Sequence, residues 1–229
     1  MRNLHGTYVR RGDTARRRTR VKRVALFLSF CGALGMAWDA RTGPQEASAE
    51  PNYFARGDQL QKMRLELDAA RGERDLAHMQ LERWNRIYNY STRYQIPADL
   101  AASIFDISLA EGIEPELGFR LVRVESEFKE RATSPVGAIG LTQVMPATAK
   151  YFTKNASREA LYDRETNLRI GFRYLRTLIR EYKGNVKIAL LVYNRGPQAV
   201  ETLRDLGLNP SNGYERIVMK GYNGKGTVD

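Results

Sequence analysis

The segment Val122-Arg-Val-Glu-Ser-Glu-Phe128 holds two glutamates, Glu125 and Glu127, with opposite prospects. Read as a helix from about Pro115, advancing about 100° per residue, it gathers Leu117, Leu121, Val124 and Phe128 on one arc, with Val122 at the edge. Glu116, Arg120, Arg123 and Glu127 fall on the opposite face. Glu125 lies between Leu121 and Val122, on the apolar side. Apolar surroundings penalise the charged form of a carboxylate, so its pKa rises. A carboxyl still protonated near neutral pH can serve as a general acid. A buried glutamate satisfied by a structural partner would leave the same pattern, and this helix alone does not separate the two.

A second group lies in Ser134-Pro-Val-Gly-Ala-Ile-Gly140-Leu-Thr-Gln143-Val-Met-Pro146-Ala-Thr-Ala149. Gly137 and Gly140 allow a sharp turn or a close approach of backbone to a ligand. Gln143 carries a donor and an acceptor, suited to a hydroxyl or an acetamido group. Taken alone, this stretch is a loop that leads into a helix. A third group, Tyr193-Asn194-Arg-Gly196-Pro197, ends an apolar run.

The elements that must position these groups are helical. Ala98–Glu111 reads as one helix, closed by Gly112, and the Glu125 helix follows with Pro115 in its first turn, where proline is tolerated. A third helix begins near Pro146. A fourth spans about Glu165–Tyr182, with Asp163 as its cap, and Leu168, Gly171, Leu175, Leu178 and Tyr182 on one face. Arg169, Arg173, Arg176 and Arg180 then point away, as a solvated face. Asn185 caps a fifth, Val186–Tyr193, and two more follow near Gln198–Leu206 and Tyr214–Lys220. Nothing after Tyr90 alternates as a strand, so the fold class is all-α, with a catalytic domain over residues 93–229.

The N-terminal part is of another kind. The formal net charge is +11, and residues 1–23 carry nine Lys/Arg and one acid, so the body of the chain is only mildly basic. A basic pI is therefore no argument for nucleic-acid binding. The uncharged run Val24–Trp38 follows; its fifteen residues suit a signal h-region or a short anchor. Cations on its N-terminal side keep that side cytoplasmic and send the rest of the chain outside. Residues 1–38 thus read as a basic tail with a signal peptide or signal-anchor, with candidate cleavage points after Ala37 and Ala49. Residues 39–57 read as a linker. From Asp58 to about Tyr90 a charged amphipathic helix keeps Leu60, Met63, Leu67, Ala70, Ala77, Leu81, Trp84 and Tyr88 at 3-4 spacing, interrupted by Arg74. It reads either as a surface helix lying on the next domain or as a short coiled coil that self-associates.

In order and spacing, Glu125-Ser126, the Gly140-Leu-x-Gln143 loop with Met145-Pro-Ala-Thr-Ala149, Tyr162-Asp163, Asn167 with Gly171, and Tyr193-Asn194-x-Gly196-Pro197 form a series. From Ile96 to about Tyr222 it resembles the family 1 lytic transglycosylases, whose soluble-lytic-transglycosylase (SLT) domain has a goose-type lysozyme-like fold. The resemblance implies cleavage of the bond between N-acetylmuramic acid and N-acetylglucosamine in peptidoglycan, with a 1,6-anhydro product. It implies Glu125 as sole catalytic acid/base, with Ser126 orienting the reacting group or Glu125. It further implies Gln143 on the substrate, Tyr193 hydrogen-bonded to Glu125, Asn194 shaping the cleft, and Tyr214 lining the same groove. Glycan strands would be the partner, at the inner membrane or outside the cell. A single acid fits this chemistry, because an intramolecular hydroxyl needs no second carboxylate to activate water. Asp106, Glu127 and Asp163 have plainer roles as surface or cap residues. Thr142 stands where the family usually has Met, and Val192 where Ala is commoner; both are expected beside the cleft, where they would bear on substrate fit. No metal-ligand spacing or cofactor motif occurs, and His5 and His78 lie outside the domain. A lysozyme-type hydrolase on the same scaffold and a non-catalytic wall-binding protein are the alternatives.

Overall fold

The computed structural model describes residues 53–154 and 157–228. The basic tail, the Val24–Trp38 run and residues 39–52 of the expected linker lie outside the described residues. Among the described residues no helix is long and apolar enough to cross a membrane.

Lys62–Asp229 form one compact unit. Its helices are α1 (Tyr53–Tyr94, whose first residues precede the unit), α2 (Ala98–Ala110), α3 (Pro115–Ser126), α4 (Pro146–Ala149), α5 (Arg164–Glu181), α6 (Val186–Arg195), α7 (Pro197–Asp205) and α8 (Tyr214–Val218). A 3-10 turn, Ala160–Tyr162, precedes α5. Among the described residues there is no strand, only isolated bridges joining Ile113 to Thr227 and Ile139 to both Thr133 and Val144. The all-α expectation holds. The linker does not reach Gly57, because Tyr53–Gly57 are already helical.

Local chemistry accounts for the boundaries. Pro115 opens α3, where its missing N–H costs nothing. The Asp163 carboxylate accepts from Thr166 N at 2.9 Å and Asn185 Oδ1 from Ile188 N at 3.1 Å, so both expected caps are present. α6 runs two residues past Tyr193, to Arg195, before Gly196 (φ 81°) stops it. α3 ends at Ser126, because Glu127 and Phe128 adopt left-handed backbone with φ of 50° and 63°. Phe128 therefore packs against the core from outside the helix, while Leu117, Phe119, Leu121 and Val122 are fully buried within it.

The main core joins α2, α3, α5 and α6 through Ile104, Phe105, Leu117, Phe119, Phe172, Leu175 and Leu190. Burying each such side chain is worth about 1.5–3 kcal/mol, so this core fixes α3 within the bundle. A smaller cluster of Ile139, Val144, Ala149, Leu161 and Ile170 underlies the 134–149 loop.

α1 meets the domain only at its C-terminal end. Ile87 is buried, Tyr90 and Tyr94 stack on Phe119 at 4.1 and 5.5 Å between ring centroids, and Arg83 clamps Asp106 through two hydrogen bonds. From Lys62 to Glu82 the helix is exposed. A surface helix lying on the domain thus describes its last three turns and not residues 62–82.

The α5 arginines keep the expected exposed face, Arg173 and Arg180 being exposed, but three of them also reach the end of α2. Arg173 makes paired bonds of 3.0 and 2.9 Å to Glu111, Arg169 adds one at 3.3 Å, and the Arg176 guanidinium packs over Gly112. Glu111 is almost fully buried, so these cations neutralise a carboxylate at the end of α2.

Candidate active site

Glu125 occupies the last turn of α3, one residue before the backbone turns left-handed. α3 packs against α2 and α8, which leaves the Glu125 carboxyl largely shielded from water. Burial raises its pKa to about 7, and a hydrogen bond from the Tyr214 hydroxyl opposes the rise. No neighbouring charge contributes among the described residues. The expectation of a raised acid on the apolar side of the helix therefore matches the geometry, and Glu127, paired with Lys129 at 2.8 Å, is exposed as expected.

The tyrosine that reaches Glu125 is Tyr214, the first residue of α8, and not Tyr193. Tyr193 instead donates to the Thr142 carbonyl at 2.8 Å, while its ring packs on Tyr174 with centroids 5.1 Å apart. Tyr193 is nonetheless close enough for the Glu125 charge to help burial push its phenol well above the usual range. Tyr214 is pushed up for the same reasons. Both phenols therefore hold their protons near neutral pH and act as donors there.

Ser126 does not point its proton at Glu125 or into open space. Its buried hydroxyl lies 3.0 Å from the Val122 carbonyl and 2.8 Å from the Leu141 carbonyl, and donates to them. It joins the end of α3 to the loop carrying Gln143.

That loop is held from below by one asparagine. Asn167 Nδ2 donates to the carbonyls of Ile139 and Leu161, both at 2.8 Å, while its Oδ1 accepts from Thr142 N at 2.9 Å and Thr142 Oγ1 at 2.7 Å. All four hydrogen-bonding positions of the amide are filled. One turn along α5, Gly171 leaves room for the same threonine: a Cβ there would stand 2.3 Å from Thr142 Oγ1. Asn167 and Gly171 thus act together on Thr142, which is fully buried and faces the core, not the cleft. Val192 is likewise a core residue. Gly140 (φ 78°) serves close approach of protein to protein, since a Cβ there would meet Asn167 Nδ2 at 2.2 Å.

Gln143 sits at φ 47°, a left-handed conformation that a non-glycine residue adopts at a cost. Its Nε2 donates to Gly140 O at 2.9 Å and Ala132 O at 3.3 Å. The amide oxygen makes no hydrogen bond among the described residues. Asn194 is exposed at the end of α6, where its Oδ1 accepts from Asn212 Nδ2 at 2.9 Å and ties α6 to the loop before α8. Asp106, Glu127 and Asp163 are occupied by Arg83, Lys129 and the α5 cap, which fits their expected plain roles.

Glu215 is a buried acid that sequence patterning passes over. Its Oε1 accepts from Ser211 Oγ at 2.5 Å and its Oε2 has no partner among the described residues. α8 is five residues long, too short for a periodic apolar face to mark an acid as internal.

Glu125 is thus a shielded carboxyl of near-neutral pKa held by a phenol, a group that can give and take a proton near pH 7. The model of the transglycosylase SLT domain family matches residues 102–206. The soluble lytic murein transglycosylase of Escherichia coli K12 is 38% identical over 88 residues, which cover 36% of this chain and 14% of that protein. The membrane-bound lytic murein transglycosylase C of Actinobacillus pleuropneumoniae serotype 5b is 37% identical over 103 residues, 39% of this chain and 28% of that protein. Among solved structures, the 70 kDa soluble lytic transglycosylase of Escherichia coli aligns with a TM-score of 0.48 at 28% identity, covering 57% of this chain and 24% of that one.

Proposed function

We propose that this protein is a peptidoglycan lytic transglycosylase in which Glu125 is the single acid/base. The observation that carries the reading is the shielded Glu125 carboxyl, held by Tyr214 with its pKa near 7, in a domain that the SLT family model matches. In the protonated form Glu125 gives its proton to the glycosidic oxygen between N-acetylmuramic acid and N-acetylglucosamine, and the bond from C1 to that oxygen breaks. The resulting carboxylate takes the proton of the muramyl 6-hydroxyl as that oxygen bonds to C1. The 1,6-anhydro ring forms, the free 4-hydroxyl leaves with the other sugar, and Glu125 ends protonated as it began.

No water need be activated, because the muramyl 6-hydroxyl is itself the nucleophile. Tyr214 keeps the carboxyl aimed and stabilises its charged form at the midpoint of the cycle. The free amide oxygen of Gln143 accepts from a sugar N–H or hydroxyl. Asn194 and the loop it holds form one edge of the groove. Ser126 and Tyr193 act through the backbone, fixing the Leu141–Thr142 segment against α3 and α6.

The apolar Val24–Trp38 run, with cations before it, supports a catalytic domain outside the cytoplasm, anchored at the inner membrane or secreted if the run is cleaved. Residues 58–90 let the enzyme self-associate. The test of the catalytic reading is solubilisation of purified peptidoglycan by the wild type and by Glu125→Gln. Folded Glu125→Gln protein should release no products; substantial release would remove Glu125 from its role.

A further inference from the structure

The seam residues of α1 between Met63 and Tyr88 repeat every seven positions without a break. Leu67, Arg74, Leu81 and Tyr88 take position a, and Met63, Ala70, Ala77 and Trp84 take position d. The domain does not cover them. Met63 is 56% exposed, Leu67 50%, Leu81 59%, Trp84 55% and Tyr88 69%. The contacts of α1 with the domain are made by Arg83 and Tyr90 at position c, Ile87 and Tyr94 at position g, and Arg93 at position f, beside the seam and not on it. Gly72 falls at an outer position with nothing within 4 Å of where its Cβ would be, so it does not interrupt the seam. Leu65, Leu76 and Met79 are exposed but stand outside it.

We propose that a second copy of this chain covers this seam, the two α1 helices pairing parallel and in register as a two-stranded coiled coil. The proposal rests on the self-association proposed above and gives it an orientation. The flanking charges choose that orientation. Position g carries Glu66 and Glu73, and the e positions five residues on carry Arg71 and His78. In a parallel pair each g residue faces the e residue of the other helix, so Glu66 meets Arg71 as an opposite charge and Glu73 meets the His78 ring, which carries an N–H donor. In an antiparallel pair g faces g and e faces e, which sets like charges together. Arg71 is free to make the exchange, since its bond to Asp68 within the helix is a long 3.5 Å between exposed side chains. Arg74 at an a position is tolerated where its stem can snorkel outward and disfavours higher-order bundles. Such a pair holds two SLT domains side by side, each attached through its own Ile87, Tyr90 and Tyr94.

The experiment uses the full-length protein in mild detergent with Cys31, the only cysteine, replaced by Ser. Met63→Cys, Ala77→Cys and Gly72→Cys are made singly, oxidised and compared by non-reducing gels, with sedimentation of the unoxidised samples. Positions 63 and 77 are about 21 Å apart along a helix, and a disulfide needs Cα atoms within about 7 Å. Only a parallel, in-register pair lets both residues link to their own copies. Linked dimers at both sites and not at Gly72→Cys are expected. A sedimenting dimer with one or neither site linked would overturn the parallel arrangement while keeping self-association; a monomer would overturn both. Leu81→Asp should give monomers with unchanged turnover per domain, which separates failure of pairing from failure of the catalytic reading. Glu66→Arg should weaken pairing roughly fivefold, and adding Arg71→Glu should restore it; no rescue would contradict the charge pairing.

Discussion

The Tyr214 hydroxyl donates to Oε1 of Glu125 across 89 residues of sequence. That bond favours the carboxylate, while burial favours the acid, and burial wins to leave the pKa at about 7. Removing the donor should therefore raise the pKa of Glu125 further. In Tyr214→Phe the alkaline limb of activity is expected to move to higher pH, with a lower maximal rate because the carboxyl is no longer aimed. A limb that stayed in place or moved down would contradict the assignment of this phenol.

In the wild type the first step needs the protonated acid. Activity should fall as pH rises through about 7, the value burial sets. Initial rates on solubilised glycan strands between pH 5 and 9 would show this; a flat profile to pH 9 would show that Glu125 does not supply the proton.

The same shift bears on stability, with a definite sign. Glu125 keeps its proton to about pH 7 in the folded protein but would lose it near 4.5 when unfolded. Between those values the folded state binds more protons, so stability falls as pH rises across that window and stays lower above it. Glu125→Gln has no such titration. Its stability relative to wild type, from urea unfolding, should increase by roughly 2–3 kcal/mol between pH 5 and pH 8. A pH-independent difference would mean that the carboxyl is not shielded.

The Thr142 interlock predicts a packing effect remote from the chemistry. Gly171→Ala brings a Cβ to within 2.3 Å of Thr142 Oγ1 in the buried interior and should lower stability by about 2–3 kcal/mol. Ser126→Ala frees the Leu141 carbonyl in a buried position and should cost about 1–2 kcal/mol. As a positioning residue, Ser126 should lower kcat more than it raises KM when lost. Calorimetry with steady-state rates checks both; a neutral Gly171→Ala would show that the loop can move away.

Much of this domain is written locally. Pro115, Asp163, Asn185 and Gly196 each act on the few residues beside them, so helix starts and stops follow from chemistry within one turn. The position of Glu125 is local too, since α3 is long enough for its apolar arc to show which acid faces inward. What escaped depends on segments far apart in sequence. Which tyrosine meets Glu125 is decided by how α8 and α6 approach α3, and nothing in Tyr193 or Tyr214 themselves ranks them. The Arg169 and Arg173 side chains look solvated on α5 until Glu111, some 60 residues earlier, is brought beneath them. Thr142 reads as a loop residue because its burial comes from Asn167 and Gly171 on another element.

The reaction products distinguish a transglycosylase from a hydrolase most directly. Purified peptidoglycan digested by the full-length protein should be resolved by mass spectrometry with and without borohydride reduction. Products whose muramyl ends carry the 1,6-anhydro mass and resist reduction are the expected result. Reducible ends would contradict it, because they require water where the muramyl 6-hydroxyl is held to attack.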